Sequence, residues 1–282
     1  MILGIDLGGT KIRAALLEQG VIVDERKVDS LANMTLEESL AYMKSGVIAP
    51  FMSEKVKGIG LGVPSVVDTK LGIVYDVTKI PSWKEVHLKD ELEKEFNVPV
   101  FVNNDANCFA LGEKYFGEGR PYSNMVGIAL GTGMGAGIII NNTLYNGHNT
   151  GAGEIGCLRY LDNVSEYYCA STFFSEIHKT NGKDLEDRAI AGDREALKLW
   201  DEYGTHLGEV IKIVLYTYDP EAIILGGSLS KAFHFYKDAM WASAANSCFF
   251  PNSLAKLVVK ASANPDNMPL LGVEAIVLEQ IG

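Results

Sequence analysis

Apolar positions along the chain come in short runs closed by glycine. Residues 2–7 (ILGIDL) read as a buried strand, 11–17 (KIRAALL) as its hairpin partner across a glycine turn, and 21–28 as a third strand. The pattern then repeats. Residues 125–130 (MVGIAL) and 136–140 (AGIII) flank a second glycine turn, and a short strand is expected near 143–145. Between the copies, apolar positions at helical spacing predict a helix over 36–51 that stops near Pro50. A strand is expected over 56–63, a small hairpin over 66–75 around Gly72, a helix over 88–96, a strand over 98–102, and a helix carrying Phe109, Ala110, Leu111 and Tyr115. After the second copy, 146–156 reads as a glycine-rich loop. A helical region spans 168–217 with breaks at Gly182 and Gly192. A strand at 222–225, a helix at 229–246, a strand at 256–260 and a helix near 270–280 complete the chain. Strands followed by alternating helices and strands, twice over, predict an α/β protein with mixed sheets. A repeated glycine hairpin suggests two related halves with a ligand between them.

Composition narrows the classes of function. Thirty-six acidic against 25 basic residues leave a net charge of −11, which disfavours a nucleic-acid or anionic-membrane surface. Backbone N–H groups can still hold phosphate. Cys108, Cys157, Cys169 and Cys248 contain no C-x-x-C pair and read as free thiols of a reducing, cytoplasmic compartment. Asp6 interrupts the first apolar run, so no signal peptide is expected, and no stretch approaches a membrane span.

Several segments carry candidate chemistry. In the first turn, Gly8 and Gly9 allow close backbone approach to a phosphate, Thr10 offers a hydroxyl and Lys11 a charge. Asp6, at the end of its strand, is placed to hold Mg²⁺ through water. The second turn, Gly131, Thr132, Gly133 and Gly135, has Ala129 where the first has Asp6. Both turns can touch phosphate, but only the first offers a carboxylate to a metal. Asp105 lies at a strand-to-helix junction, where the helix field favours its ionised form and fits it to accept a proton. The same position equally suits a helix cap. Glu154 stands in a glycine loop, Glu166 opens a helical stretch, and Gly226-Gly227 form a turn after an apolar strand.

Taken together, D-x-G-G-T-K at 6–11, G-V-P-S at 62–65, N-D-A-N at 104–107, G-T-G-x-G at 131–135, G-E-I-G at 153–156 and L-G-G-S at 225–228 resemble the ROK family. The resemblance spans essentially the whole chain. It implies a two-lobed, actin-like (ribonuclease H-like) fold, with residues 1–117 and 268–282 in one lobe and 118–267 in the other. ATP and a sugar would occupy the cleft. It implies Asp105 as the base for a sugar hydroxyl, with Pro64, Ser65, Asn104, Glu154, Cys157 and Glu166 on the sugar side. The two glycine turns would face the ATP phosphates and Gly226-Gly227 the adenosine. A homodimer is a possibility by the same analogy.

One departure stands out. Most members carry a histidine followed by a cysteine-rich loop that together bind zinc. Here Cys157 occupies the histidine position and 158–165 contains no cysteine. A four-ligand site cannot be built from that segment, so no zinc is expected, and sugar specificity is open. The expected activity is MgATP-dependent phosphorylation of a hexose, at its 6-hydroxyl. The alternatives are a sugar-responsive regulator, which the acidic charge and the start of the chain at the phosphate loop argue against, and a sugar-binding relative without catalysis.

Overall fold

The computed structural model describes residues 1–9 and 11–282. Its first strands, β1 (Ile2–Leu7), β2 (Lys11–Glu18) and β3 (Val21–Asp29), form an antiparallel meander. Helix α1 (Leu36–Tyr42) starts at a capping box: Glu38 N–H donates to Thr35 Oγ1 at 3.2 Å and Thr35 N–H to the Glu38 carboxylate at 2.9 Å. A wider π turn over Met43–Ile48 and a 3₁₀ turn at Ala49–Phe51 continue it, so the predicted single helix is three geometries in succession. Next come β4 (Ile59–Val63), then β5 (Val66–Asp68), β6 (Ile73–Tyr75) and β7 (Glu85–His87), which pair in a small antiparallel sheet. Helix α2 (Leu88–Phe96), β8 (Val100–Asn104) and α3 (Asp105–Phe116) close the first half.

The second half holds β9 (Met125–Leu130), β10 (Met134–Ile140) and β11 (Thr143–Leu144), then a two-stranded hairpin of β12 (Arg159–Tyr160) and β13 (Asn163–Val164) that the periodicity did not reveal. The predicted helical region over 168–217 is divided into α4 (Ser165–Cys169), a π turn at Phe173–Ile177, α5 (Gly182–Ile190) and α6 (Arg194–Tyr218). Strand β14 (Ala222–Gly226), α7 (Phe233–Ala245), α8 (Pro251–Leu254), β15 (Val258–Ala261) and α9 (Met268–Ile281) follow.

The two main sheets have the same plan. The orders β3-β2-β1-β4-β8 and β11-β10-β9-β14-β15 both run third, second, first, fourth, fifth, counting only the strands of that sheet. In each, the first strand pairs antiparallel with its hairpin partner and parallel with the fourth. The glycine-turn repeat seen in the sequence is therefore a repeat of whole sheets.

Residues Met1–Arg120, Leu144–Ala152 and Asn267–Gly282 form one compact unit; Pro121–Thr143 and Gly153–Asp266 form the other. Segment 144–152, expected with its neighbours in the second half, packs with the first unit because Asn146 hydrogen-bonds there. Each unit has its own core. The first gathers Leu3, Ile5, Ile59, Leu61, Val100 and Trp83. The second packs Phe173 and Phe174 against Trp200, Tyr203 and Tyr236 on α6 and α7, so this aromatic pair is core. On α6, Trp200, Tyr203, Leu207, Ile211 and Val214 recur at three- and four-residue steps and face that core.

Helix α9 joins the first unit through an intimate crossing with α3. A Cβ on Gly272 would lie 1.7 Å from the Cys108 carbonyl oxygen, and one on Gly112 would lie 2.0 Å from that of Met268. No side chain fits between these backbones. Gly272→Ala should improve intrinsic helix propensity by about 1 kcal/mol. Forcing the helices apart should cost about 1–3 kcal/mol more than that gain. The expected result is a lowered urea midpoint; a midpoint equal to or above the native one would contradict the crossing.

Candidate active site

The first unit builds its candidate site on the register of three parallel strands. Asp6 of β1 pairs with Gly62 of β4, and Gly62 with Asn103 of β8. Asp6 and the Asn103–Asp105 segment thus reach the same carboxyl edge of the sheet, where open α/β sheets place ligands. Gly62 lies between them without a side chain, and Cys108 of α3 fills the space: its Sγ is 3.2 Å from where a Gly62 Cβ would stand. Burial pushes the Cys108 thiol far up, and the Asp105 and Asp6 charges push it further. That one thiol feels both carboxylates because they flank it.

The cap of α3 is Asn104. Its side-chain oxygen accepts from Ala106 N–H at 2.9 Å and Asn107 N–H at 3.3 Å, and its Nδ2 donates to the Ser65 carbonyl at 3.3 Å. Capping therefore falls to Asn104, and Asp105 becomes the first helical residue. One carboxylate oxygen of Asp105 accepts from Ala106 N–H at 2.9 Å, and the helix field favours the charged form. Ser65 in turn ties its hydroxyl to the Tyr75 carbonyl, so the residues after β4 brace the cap.

Asp6 is half-buried, and burial raises its pKa to about 6 against the lowering influence of Arg13. Arg13 sits opposite it on β2 and spends its guanidinium on Glu25 at 2.8 Å and Asn267 at 2.7 Å. An incompletely compensated carboxylate at a strand end suits a cation. A single carboxylate is also the donor set expected where Mg²⁺ keeps waters and phosphate oxygens as its other ligands. Among the described residues, no group of three or more His, Cys, Asp or Glu side chains is placed to hold a metal. Gly8 and Gly9 form the turn after β1; the Lys79 stem lies across Gly9, 2.9 Å from where its Cβ would be. Lys11 is exposed and pairs with Asp29 on β3. Thr10 lies outside the described residues.

In the second unit, Gly131 to Gly133 turn between β9 and β10. The Gly131 carbonyl accepts from Ser171 N–H at 2.8 Å, and Met134 N–H donates to Glu166 at 2.8 Å. The Glu166 carboxylate thus occupies the amide at the end of this turn. Gly226 pairs with Ala129, so Gly226-Gly227 lie at the same sheet edge as that turn, with Gly131, Thr132, Gly133 and Gly135 beside them. Glu154 follows Gly153, whose φ of +94° and contact with the Ala136 carbonyl (a Cβ would be 1.9 Å away) exclude any side chain. Cys157 Sγ approaches Glu154 at 3.9 Å. The Glu154 carboxyl is held above its ordinary range, first by loss of water and then by the Glu166 charge. Burial, followed by Glu154 and Glu166, raises the Cys157 thiol. The structure thus brings Glu154, Cys157 and Glu166 together. Glu166 is set by the β12–β13 hairpin: Ser165 N–H donates to the Leu158 carbonyl at 2.9 Å, and Tyr160 hydroxyl bonds His206 Nδ1 at 3.0 Å.

Arg13, Lys79 and Asn146 also belong to these surroundings and escaped the sequence reading, and Asn107 entered it only as the last position of the N-D-A-N motif. Arg13 carried a signal, a charge inside an apolar strand. Lys79 and Asn146 are brought in from distant segments and carried none.

The raised carboxyl of Asp6 has a measurable consequence. Folded Asp6 binds its proton more tightly than the unfolded chain does, so its ionisation subtracts stability. In magnesium-free buffer the loss should begin near pH 4 and be complete somewhat above pH 6. Asp6→Asn should match the native protein near pH 4 and exceed it by up to about 3 kcal/mol near pH 8. Urea unfolding at both pH values checks this; a native protein as stable as the variant at the higher pH would contradict it.

The ROK family pattern matches residues 2–280. The chain is 29% identical to a glucokinase of Thermotoga maritima, covering 100% of this chain and 98% of that protein. It is 30% identical to a xylose repressor of Bacillus spizizenii, over 98% of this chain and 77% of the repressor. The crystal structure of a ROK family glucokinase from Streptomyces griseus in complex with glucose and AMPPNP superposes with a TM-score of 0.83 at 26% identity, covering 98% of each chain. This chain has the α/β, two-lobed actin-like fold of that enzyme and belongs to the ROK family.

Proposed function

We propose that this protein is an ATP-dependent sugar kinase that transfers the γ-phosphoryl group of MgATP to a primary hydroxyl of a hexose. The observation that carries the reading is the division of labour at the start of α3. Asn104 satisfies the cap, so Asp105 keeps a carboxylate at the carboxyl edge of the sheet that also presents Asp6. The glucokinase relatives, one of them bound to glucose and AMPPNP, support it.

In this reading Asp105 accepts the proton of the sugar hydroxyl, whose oxygen attacks the γ-phosphorus as the bond to the bridging oxygen of ADP breaks. Asp6 would hold Mg²⁺ through water, and that ion, when bound, neutralises charge on the phosphate oxygens. The amides of Gly8, Gly9, Gly131, Thr132, Gly133 and Gly135 would face the phosphates, and Gly226-Gly227 the nucleoside. Glu154 and Glu166 would accept sugar hydroxyls, since two close carboxylates gain from hydroxyl donors. Cys157, small and uncharged beside them, would line the same pocket. The fold of the 158–166 segment rests on the Tyr160–His206 bond and the Ser165–Leu158 pair, which supports a family member working without zinc.

A second reading, a sugar-responsive regulator, is favoured by the xylose repressor relatives. ADP release over a panel of hexoses with MgATP separates the two; tight, salt-sensitive retardation of promoter DNA without ADP release would favour the regulator.

Two outcomes are expected of the kinase. Asp105→Asn should lower kcat by about 10²- to 10⁴-fold and leave ATP affinity nearly unchanged by calorimetry; native-like turnover would remove Asp105 from the chemistry. A zinc-selective chelator should leave the melting temperature unchanged, whereas EDTA should abolish turnover reversibly with added Mg²⁺. A fall in melting temperature with zinc released into solution would contradict the metal-free loop.

A further inference from the structure

Segment 144–152 leaves the β10–β11 edge and packs with the first unit before the chain resumes the second at Gly153. Its anchor is Asn146. The Asn146 side-chain oxygen accepts from Asn103 Nδ2 and from Asn107 Nδ2, each at 3.3 Å. Asn107 Nδ2 also donates to Asn103 Oδ1 at 3.0 Å. Asn103 Oδ1 additionally accepts from Asn104 N–H at 2.8 Å. Three amides thus close a ring around the first turn of α3. Asn103 and Asn107 lie on either side of Asp105, one at the end of β8 and one a helical turn later, and Asn146 bridges them.

The ring has a definite polarity. Asn107 spends both its side-chain hydrogens on amide oxygens, and its own oxygen is buried with no hydrogen-bond partner among the described residues. Turning that amide over would set its oxygen against two other oxygens, so the orientation is locked. Asn103 and Asn107 are 5% and 1% exposed. An apolar residue at 107 would fill the same space and leave no buried acceptor unsatisfied. The polar side chain is explained by what its two hydrogens hold.

We propose that Asn146 is a positioning residue for Asp105: through Asn103 and Asn107 it fixes the β8–α3 junction, and with it the direction of the Asp105 carboxylate. The inference rests on the kinase reading for Asp105 and deepens it.

The test compares Asn146→Ala, which removes the acceptor, with Asn146→Asp, which keeps an oxygen facing both donors. Asn146→Ala should lower kcat by about 10- to 100-fold, the scale of a small misplacement of a catalytic group, with KM for ATP unchanged. Asn146→Asp should recover most of that loss. A kcat for Asn146→Ala within about twofold of native, or equal losses in the two variants, would overturn the proposal. Amide hydrogen exchange read on the same proteins is independent of turnover: protection over 103–108 should fall in Asn146→Ala and be retained in Asn146→Asp. If the native chain phosphorylates no sugar, the kinase reading fails by itself, and unchanged exchange protection in Asn146→Ala would then reject the brace.

Discussion

The register of β1, β4 and β8 is the constraint on which the first unit depends. Side chains alternate along a strand, so a slip by one residue would turn Asp6 into the sheet's other face and replace it with Leu7 or Ile5. The apolar partners prevent it. Ile5, Leu3, Leu61, Ile59 and Val102 are all buried, and moving any of them to the polar edge would expose a large apolar surface. The carboxylates therefore reach the edge as passengers of core packing. Gly60 and Gly62, two residues apart and so on one face of β4, allow this by leaving room for α9 and for Cys108 of α3.

Electrostatics at that edge follow from burial. Asp6 is held above the usual carboxylate range because the sheet withdraws its water faster than Arg13 compensates. Asp105 lies at a helix start, where free N–H groups stabilise charge. Two carboxylates near one thiol thus sit in different electrostatic surroundings. The second sheet repeats the strand order with Ala129 at the Asp6 position and a turn amide already occupied by Glu166. The same scaffold occurs twice, with different side chains at matching positions.

Much of this was legible in the chain. The two glycine turns, the flanking strands and the order of later elements follow from period-two alternation and from glycine, which act locally. Gly153 and Glu154 were recognisable because a tight turn leaves few residue choices. The breaks expected at Gly182 and Gly192 in the helical region over 168–217 are present, but the π turn at Phe173–Ile177 was not foreseen, since Phe173 and Phe174 keep helical spacing while Phe174 packs on Trp200 and both rings meet Tyr203. The β12–β13 hairpin carries two-residue strands, too short to show alternation. At Asp105 the sequence suited a proton acceptor and a helix cap equally; the structure gives the cap to Asn104.

By itself the sequence determined what acts over a few residues: where strands turn, which helices start and that a glycine turn occurs twice. The tertiary structure decided what depends on distant segments meeting. It placed Asp6 and Asp105 on one sheet edge, drew Glu154, Cys157 and Glu166 together, and brought Asn146 across to Asn103 and Asn107. Local propensity has a range of a few residues, whereas these contacts are set by strand register and core packing, which are collective and leave no mark at any single position.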